Sequence, residues 1–299
     1  MCQRSGDIWL RFDAESETEN KQESEVLKES MSEQQQLVSV VVPIFNEEEG
    51  IGLLREKLLK LKGLLEEDYQ LEFIFVDDGS SDRTVEALRR QFADALVPFQ
   101  IVEHGRNRGV GAAFRSGFQA CRGKLICTID ADCTYSPEGL KLLLAALDAS
   151  GAEIAVASPY HPDGGVEGVP WWRLALSRRC SALYRWASPL KLYTYTSIFR
   201  AYRAEVIRNV SFASDGFVSA AEILLAAGRQ GYRVTEVPMV LRARSIGRSK
   251  MKVLRTIVSH LRTLSRFAAG TSAPSHSGPP RKQEEPDAQF SRAKQIGET

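Results

Sequence analysis

The chain has 299 residues, 43% of them hydrophobic and 26% charged. Those proportions exclude a collagen-like repeat, a wholly disordered chain and a disulfide scaffold, and they allow one large domain or two small ones. Lys and Arg number 39 against 38 Asp and Glu, a net charge of +1, so no global basic field points to nucleic acid, and any anionic ligand must be held by a local cluster.

Residues 1–36 are polar and acidic, rich in Glu, Ser and Gln, and bury too little to offset the entropy of ordering, so they are read as a disordered tail. No run resembles a signal peptide or approaches the roughly 20 apolar residues of a spanning helix. The expectation is a cytoplasmic chain, in contact with a membrane at most peripherally, on its inner face. Cys2, Cys121, Cys127, Cys133 and Cys180 form no C-x-x-C pair, which predicts reduced thiols and no zinc site.

From residue 37 the text alternates strand and helix. Residues 37–43 (LVSVVVP) read as a buried strand. Ile51, Leu54, Leu58, Leu61 and Leu65 then keep helical spacing. Residues 71–76 (LEFIFV) form the second strand, and Ser81 or Asp82 is expected to cap a helix running through Leu88. A third strand is read at 99–103, a helix at 111–121, a fourth strand at 125–129, a helix at 137–149 with Pro137 near its start, and a fifth strand at 154–157. Strands separated by helices predict an α/β fold with a mostly parallel sheet, whose ligands sit at the C-terminal strand ends. Asn46-Glu47, Asp77-Asp78 and Asp130-x-Asp132 all fall at such ends, so the expected crevice is lined by carboxylates.

Each motif has two readings. Asp130 and Asp132 either share a divalent cation, Mg²⁺ or Mn²⁺, or make a solvated turn with a helix cap. Asp77-Asp78-Gly79-Ser80-Ser81-Asp82 is either a clasp for a base and ribose or a capped strand-to-helix turn. Asn107-Arg108-Gly109-Val110-Gly111 either cradles phosphate or is a tight turn before a helix, and the turn is the simpler account.

Taken in order, PIFNE at 43–47, VDDGSSD at 76–82, NRGVGA at 107–112 and DAD at 130–132 resemble the family 2 glycosyltransferases of the GT-A (Rossmann-like) fold. TSIFRAY at 196–202, EVP at 236–238 and Arg244-x-x-Gly247-x-Ser249-Lys250 continue the resemblance, most closely to the dolichyl-phosphate mannose synthase and prenyl-phosphate glycosyltransferase branch. The resemblance implies a catalytic domain over residues 37–252, flanked by a helix at 253–269 and a disordered tail at 270–299. It implies that Pro43, Phe45, Asn46 and Glu47 line the nucleoside of a nucleotide-sugar donor and that Asp77 and Asp78 meet base and ribose. Asp130, Ala131 and Asp132 would hold metal and diphosphate, with Thr134 as a further metal contact. Arg244 and Lys250 would close over the diphosphate, and Glu222 would lie near the acceptor.

Two later segments bear on the acceptor. Arg173, Ser177 and Arg178 are spaced so that one helical face could present them together, as a similar R-x-x-x-S-R segment in prenyl-phosphate transferases meets the acceptor's lipid phosphate; the other reading is an ordinary amphipathic helix with solvated arginines. Trp171, Trp172, Tyr184 and Trp186 add aromatics suited to a bilayer interface. Residues 253–268 (VLRTIVSHLRTLSRFA) make a basic amphipathic helix that either lies on an anionic membrane or packs on its own domain. His104, His161 and His260 show no ligand spacing and receive no role.

Departures from the family pattern are Pro159, where an Arg is expected, Thr194 in place of Asp, and Ile198 in place of Gly. The expected reaction is inverting, metal-dependent transfer of a sugar to a prenyl phosphate at a membrane surface. The competing readings are a soluble transferase acting on a saccharide or small-molecule hydroxyl, with Glu222 as base, and an inactive nucleotide-binding subunit. The intact DAD and R-x-x-G-x-S-K segments argue against the last.

Overall fold

A computed structural model describes residues 35–244 and 253–268. Most of both expected tails, and Lys250 with them, lies outside the described residues. The N-terminal boundary moves slightly: Gln35 is anchored by its side-chain amide to the carbonyls of Glu66 and Glu67, and Gln36 opens the first strand.

The strands are β1 (Gln36–Ile44), β2 (Tyr69–Asp77), β3 (Phe99–Glu103), β4 (Leu125–Thr128), β5 (Ile154–Ser158), β6 (Gly165–Glu167), β7 (Arg200–Arg203), β8 (Val234–Pro238) and β9 (Val240–Arg242). The helices are α1 (Ile51–Leu65), α2 (Thr84–Phe92), α3 (Val110–Ala120), α4 (Leu140–Ser150), α5 (Trp171–Ala187), α6 (Ala204–Asn209), α7 (Val218–Arg229) and α8 (Val253–Ala268). Seven strands form one sheet in the order β3-β2-β1-β4-β7-β5-β8, and β6 pairs with β9 in a separate ribbon. Of the six pairings in the large sheet, β1–β2, β2–β3, β1–β4 and β5–β8 are parallel, while β7 runs antiparallel to both β4 and β5.

The sheet is covered on both faces, which is why β1 reads as an unbroken apolar run: Val38, Val40, Val41 and Val42 are all fully buried. On one face α1 buries Ile51, Leu54, Leu58, Leu61 and Leu65, the five positions its spacing predicts, and α4 buries Leu140, Leu143, Leu144 and Leu147. Phe73, Phe75, Phe92 and Phe99 close this layer between β2, β3 and α2, with Phe75 and Phe92 centroids 4.7 Å apart. On the other face α3 lies against β1 and β2. Gly117 permits this approach, since a Cβ there would collide with Val41 and stand 3.1 Å from Val76.

Two boundaries differ from expectation for a local reason. The second helix starts at Thr84, where the Asp82 carboxylate takes the Thr84 N–H (3.1 Å) and hydroxyl (2.5 Å) as a cap at Asp82 does, and it continues past Leu88 to Phe92, which packs among the aromatic rings of β2 and β3. The fourth begins with a single 3₁₀ turn at Pro137–Gly139 before α4.

Candidate active site

The register aligns three strand ends. Ile44 of β1 stands opposite Asp77 of β2, and the Ile129 N–H beyond β4 still bonds the Val41 carbonyl at 3.1 Å. The loops leaving β1 and β2 are stitched together. Asn46, at φ 51°, turns the chain, accepts the Ser81 N–H on Oδ1 (2.7 Å) and donates its own N–H to Ser80 Oγ (2.8 Å). The Glu47 N–H donates to Thr84 Oγ1 at 2.8 Å. Pro43 and Phe45 are half-buried at the same edge.

Asp77 and Asp78 are both buried but differently engaged. Asp77 Oδ2 accepts the N–H groups of Gly79 (3.2 Å) and Ser80 (3.0 Å), while its Oδ1 has no hydrogen-bond partner. Asp78 Oδ1 accepts from His104 Nδ1 (2.8 Å) and the Arg108 N–H (2.9 Å), and Oδ2 accepts the Gly109 N–H (2.7 Å). His104 Nε2 lies 2.8 Å from Ser116 Oγ on α3. A carboxylate accepts only, so the Nδ1 proton is on the ring and Ser116 serves Nε2. His104 is therefore a brace between the Asp78 loop and α3. Sequence spacing holds no signal for it, because its partners lie 26 and 12 residues away.

The same bonds decide the reading of residues 107–111. The amides of Arg108 and Gly109 are spent on Asp78, and the Gly111 N–H donates to the Asp215 carbonyl at 2.7 Å. The segment is a tight turn, with no cradle of free amides left for phosphate at these three. Gly109, at φ +99°, could carry no side chain, since a Cβ would strike the Asp215 carbonyl. Ser214 and Asp215 thus pack on the start of α3, and Glu222 holds Ser214 by accepting its N–H at 2.9 Å. The sequence reading puts Glu222 near the acceptor; the structure puts it in this loop brace, outside the lining of the cavity described below.

After β4, Asp130 and Asp132 flank Ala131, which packs on the core. Burial first, and then the Asp132 charge, push the Asp130 carboxyl well above the usual carboxylate range, with Arg244 pulling the other way. Asp132 Oδ1 accepts the Thr134 N–H at 3.1 Å, and Oδ2 receives Arg244 Nε and Nη2, both at 2.8 Å. Arg244 Nη1 reaches Glu47 Oε1 at 3.0 Å. Burial alone would lower the Arg244 pKa, but the Asp132 and Glu47 charges outweigh it and raise it. The strand leading to Arg244 is fastened to the DAD loop, because the Arg242 N–H donates to the Thr134 carbonyl at 2.9 Å. The carboxylates suit a cation, since a guanidinium already sits between Glu47 and Asp132. Among the described residues no three His, Cys, Asp or Glu groups form a complete cage, and a hard divalent ion in such a place completes its shell with ligand oxygens.

A cavity of about 320 Å³ opens beside Asp130 and Thr134 and runs between α5 and α8. Tyr135, Tyr160, Trp172, Leu176, Leu183, Leu261 and Leu264 supply much of its wall. Arg173 and Ser177 of α5 also line it; Ser177 Oγ lies 3.0 Å from Thr196 Oγ1, and Arg173 Nε is buried without a partner. Arg178 does not line it but stacks at 5.5 Å over Tyr160. The expectation of a shared face fails here by helical geometry, since five residues advance about 140° around the axis where four advance only about 40°. Arg179 joins the wall instead.

Three comparisons with known proteins bear on this arrangement. The family model described as Glycosyl transferase family 2 matches residues 39–211. Polyprenol monophosphomannose synthase of Mycolicibacterium smegmatis is 34% identical over 219 residues, 71% of this chain and 80% of its own length. Dolichol-phosphate mannosyltransferase of Pyrococcus furiosus is 32% identical over 233 residues, 77% of this chain and 63% of its own length. In fold, the chain is similar to glucosyl-3-phosphoglycerate synthase from Mycobacterium tuberculosis, solved with Mn²⁺, uridine diphosphate and its product, at TM-score 0.57 and 19% identity over 82% of each chain.

Proposed function

We infer the reaction from one premise: the chain belongs to glycosyl transferase family 2. It transfers a sugar from a nucleotide-sugar donor to a prenyl phosphate, in keeping with the polyprenol and dolichol phosphates after which both relatives are named. The observation that carries this reading is the cavity, which joins the strand-end carboxylate Asp130 to an apolar wall shared by α5 and α8. An anionic head group beside Arg173 and Ser177 with a hydrocarbon tail between the helices matches that change of lining.

Pro43, Phe45, Asn46 and Glu47 line the nucleoside, and the unpartnered Oδ1 of Asp77 accepts a base N–H or ribose hydroxyl. Asp78 serves the nucleotide indirectly, by holding residues 104–109. Asp130 and Asp132, with Thr134 beside them, would hold Mg²⁺ or Mn²⁺, and such an ion would supply positive charge to the diphosphate leaving group. Arg244, with Lys250 beyond the described residues, adds positive charge to the same leaving group. Arg173 aims its buried, unpartnered Nε at the acceptor phosphate and orients one oxygen toward the anomeric carbon. Attack from the side opposite the diphosphate inverts that carbon. A phosphate is already anionic, so no strong general base is required, which agrees with Glu222 being engaged elsewhere.

The acceptor's tail brings the enzyme to a membrane surface. No helix among the described residues is long and apolar enough to cross one. Trp171 and Trp186, 79% and 83% exposed, stand on α5 with the exposed Leu183, and Val258 and Leu261 are exposed on α8. Arg178, Arg179, Arg185, Arg262 and Arg266 are exposed on the same two helices. Apolar and aromatic side chains framed by cations suit an anionic bilayer surface. The deciding experiment is a panel of labelled nucleotide sugars against prenyl phosphates and soluble glycosides, with and without Mn²⁺. Sugar should appear on the lipid phosphate only with metal and not in Asp132→Ala. Transfer to soluble hydroxyls alone would overturn the reading.

A further inference from the structure

The position of Arg244 has a consequence that its role toward the diphosphate does not require. Three of its nitrogens are committed to carboxylates: Nε and Nη2 to Asp132 Oδ2, both at 2.8 Å, and Nη1 to Glu47 Oε1 at 3.0 Å. The pairs are shielded, with Asp132 14%, Glu47 10% and Arg244 21% exposed. Asp132 Oδ1 is meanwhile held by the Thr134 N–H. Both oxygens of Asp132 are therefore engaged within the protein. Nor is the contact a chance pose of a long side chain, since β9 delivers Arg244 while bonded to the DAD loop through Thr134 and to β6 through the Ala243 N–H and Glu167 carbonyl at 2.9 Å.

We propose that Arg244 is the resident counter-ion of Asp132 and Glu47, which a divalent cation must displace, so that cation and nucleotide diphosphate bind as a mutually dependent pair. The inference rests on the reading of Asp132 as a metal ligand. A cation arriving alone has to break a shielded, hydrogen-bonded ion pair and leave the guanidinium without its carboxylate. A cation arriving with a diphosphate offers the displaced guanidinium a new anion within reach. The swap adds a coupling beyond direct metal–phosphate contact, and by reciprocity each ligand strengthens the other equally. The physical benefit is selectivity against premature metal loading: the carboxylates are neutralised at rest by a group that becomes useful once the donor arrives.

The test is binding rather than turnover. Mn²⁺ affinity of the full chain is measured from the electron paramagnetic resonance signal of free Mn²⁺, alone and with saturating GDP or UDP, with folding checked by circular dichroism. The wild type should bind Mn²⁺ weakly alone and much more tightly with one of the nucleotides. Arg244→Gln should bind Mn²⁺ alone about tenfold more tightly, and the gain from nucleotide should shrink by about the same factor, as coupling of ordinary size requires. Arg244→Lys, which keeps the charge but loses the fork, should fall between. Arg242→Gln removes a neighbouring cation whose partner is Glu167, so Mn²⁺ affinity should stay within about twofold. Equal tightening in Arg242→Gln would reduce the effect to net charge and overturn the inference. So would unchanged Mn²⁺ affinity in both Arg244 variants. Asp132→Ala separates the two claims: if it loses Mn²⁺ binding, the metal reading stands whatever Arg244 does, and if it binds Mn²⁺ like the wild type, the metal reading fails and the counter-ion inference with it.

Discussion

Replacing Asp78 with Asn keeps the shape of the side chain and removes one acceptor oxygen. The native carboxylate receives His104 Nδ1–H and the Arg108 N–H on Oδ1 and the Gly109 N–H on Oδ2. An Asn oxygen can keep the first two, but its NH₂ group then faces the Gly109 N–H, donor against donor. The Gly109 N–H is only half-buried, so the loss is that of one charge-assisted bond, about 1.5–3 kcal/mol. At about 2–4 °C per kcal/mol for a domain of this size, the melting midpoint should fall by about 3–12 °C. Asp77→Asn should behave oppositely. Its oxygen can keep the Gly79 and Ser80 amides while NH₂ replaces the unpartnered Oδ1, so stability should change by less than about 1 kcal/mol. Nucleotide diphosphate affinity should drop about tenfold or more, because an acceptor offered to the base or ribose has become a donor. Differential scanning calorimetry reads the first quantity and isothermal titration with Mn²⁺ and GDP or UDP the second. A midpoint shift under about 2 °C for Asp78→Asn, or equal melting losses in both variants, would refute the division of labour.

Arg173→Ala should cut use of a prenyl-phosphate acceptor about ten- to a hundredfold while sparing donor affinity, with Arg173→Lys recovering part of the loss. Arg178→Ala should cost clearly less in the same steady-state assay, since its guanidinium stacks on Tyr160 rather than lining the cavity. His104→Ala should raise the donor KM and lower the melting midpoint, leaving the acceptor KM unchanged, and His104→Asn should restore some donor affinity through its amide. Trp171→Ser with Trp186→Ser should weaken sedimentation with anionic vesicles and leave the melting midpoint within about 1–2 °C, as both rings are exposed. Burial lowers the His260 pKa from 6.5 to about 4 beside the Tyr184 hydroxyl, 2.7 Å away. The unfolded chain therefore binds the extra proton between pH 6.5 and 4, and stability should fall on acidification across that window, by roughly 3 kcal/mol when complete. Urea unfolding of His260→Gln should lack that part of the pH dependence.

The order of strands and helices from β1 to β5, and the strand ends there that carry polar motifs, were determined by the sequence because each is written in local periodicity. The five buried positions of α1 follow from its 3.6-residue repeat, and the continuous valines of β1 follow from burial on two faces. Motif order likewise sufficed for the family. Arg178 lay within reach of the sequence too, since five-residue spacing already turns it off the face shared by Arg173 and Ser177. What only the tertiary structure decided is which polar group saturates which. β7 carries two arginines in four residues and has no strand signature of its own; it is a strand because β4 and β5 both offer it an antiparallel edge. Arg200 is fully buried there, donating to the carbonyls of Tyr195 and Ala220. Asp77 and Asp78 are identical in sequence terms and part only when the 104–109 loop arrives to consume one of them. Glu222 meets the Ser214 amide, and Arg244 meets Asp132 across 112 residues of chain. Hydrophobic spacing encodes where an element must bury itself, but a buried donor or acceptor takes whatever partner the topology brings within about 3 Å, and that distance exists only once the chain is folded.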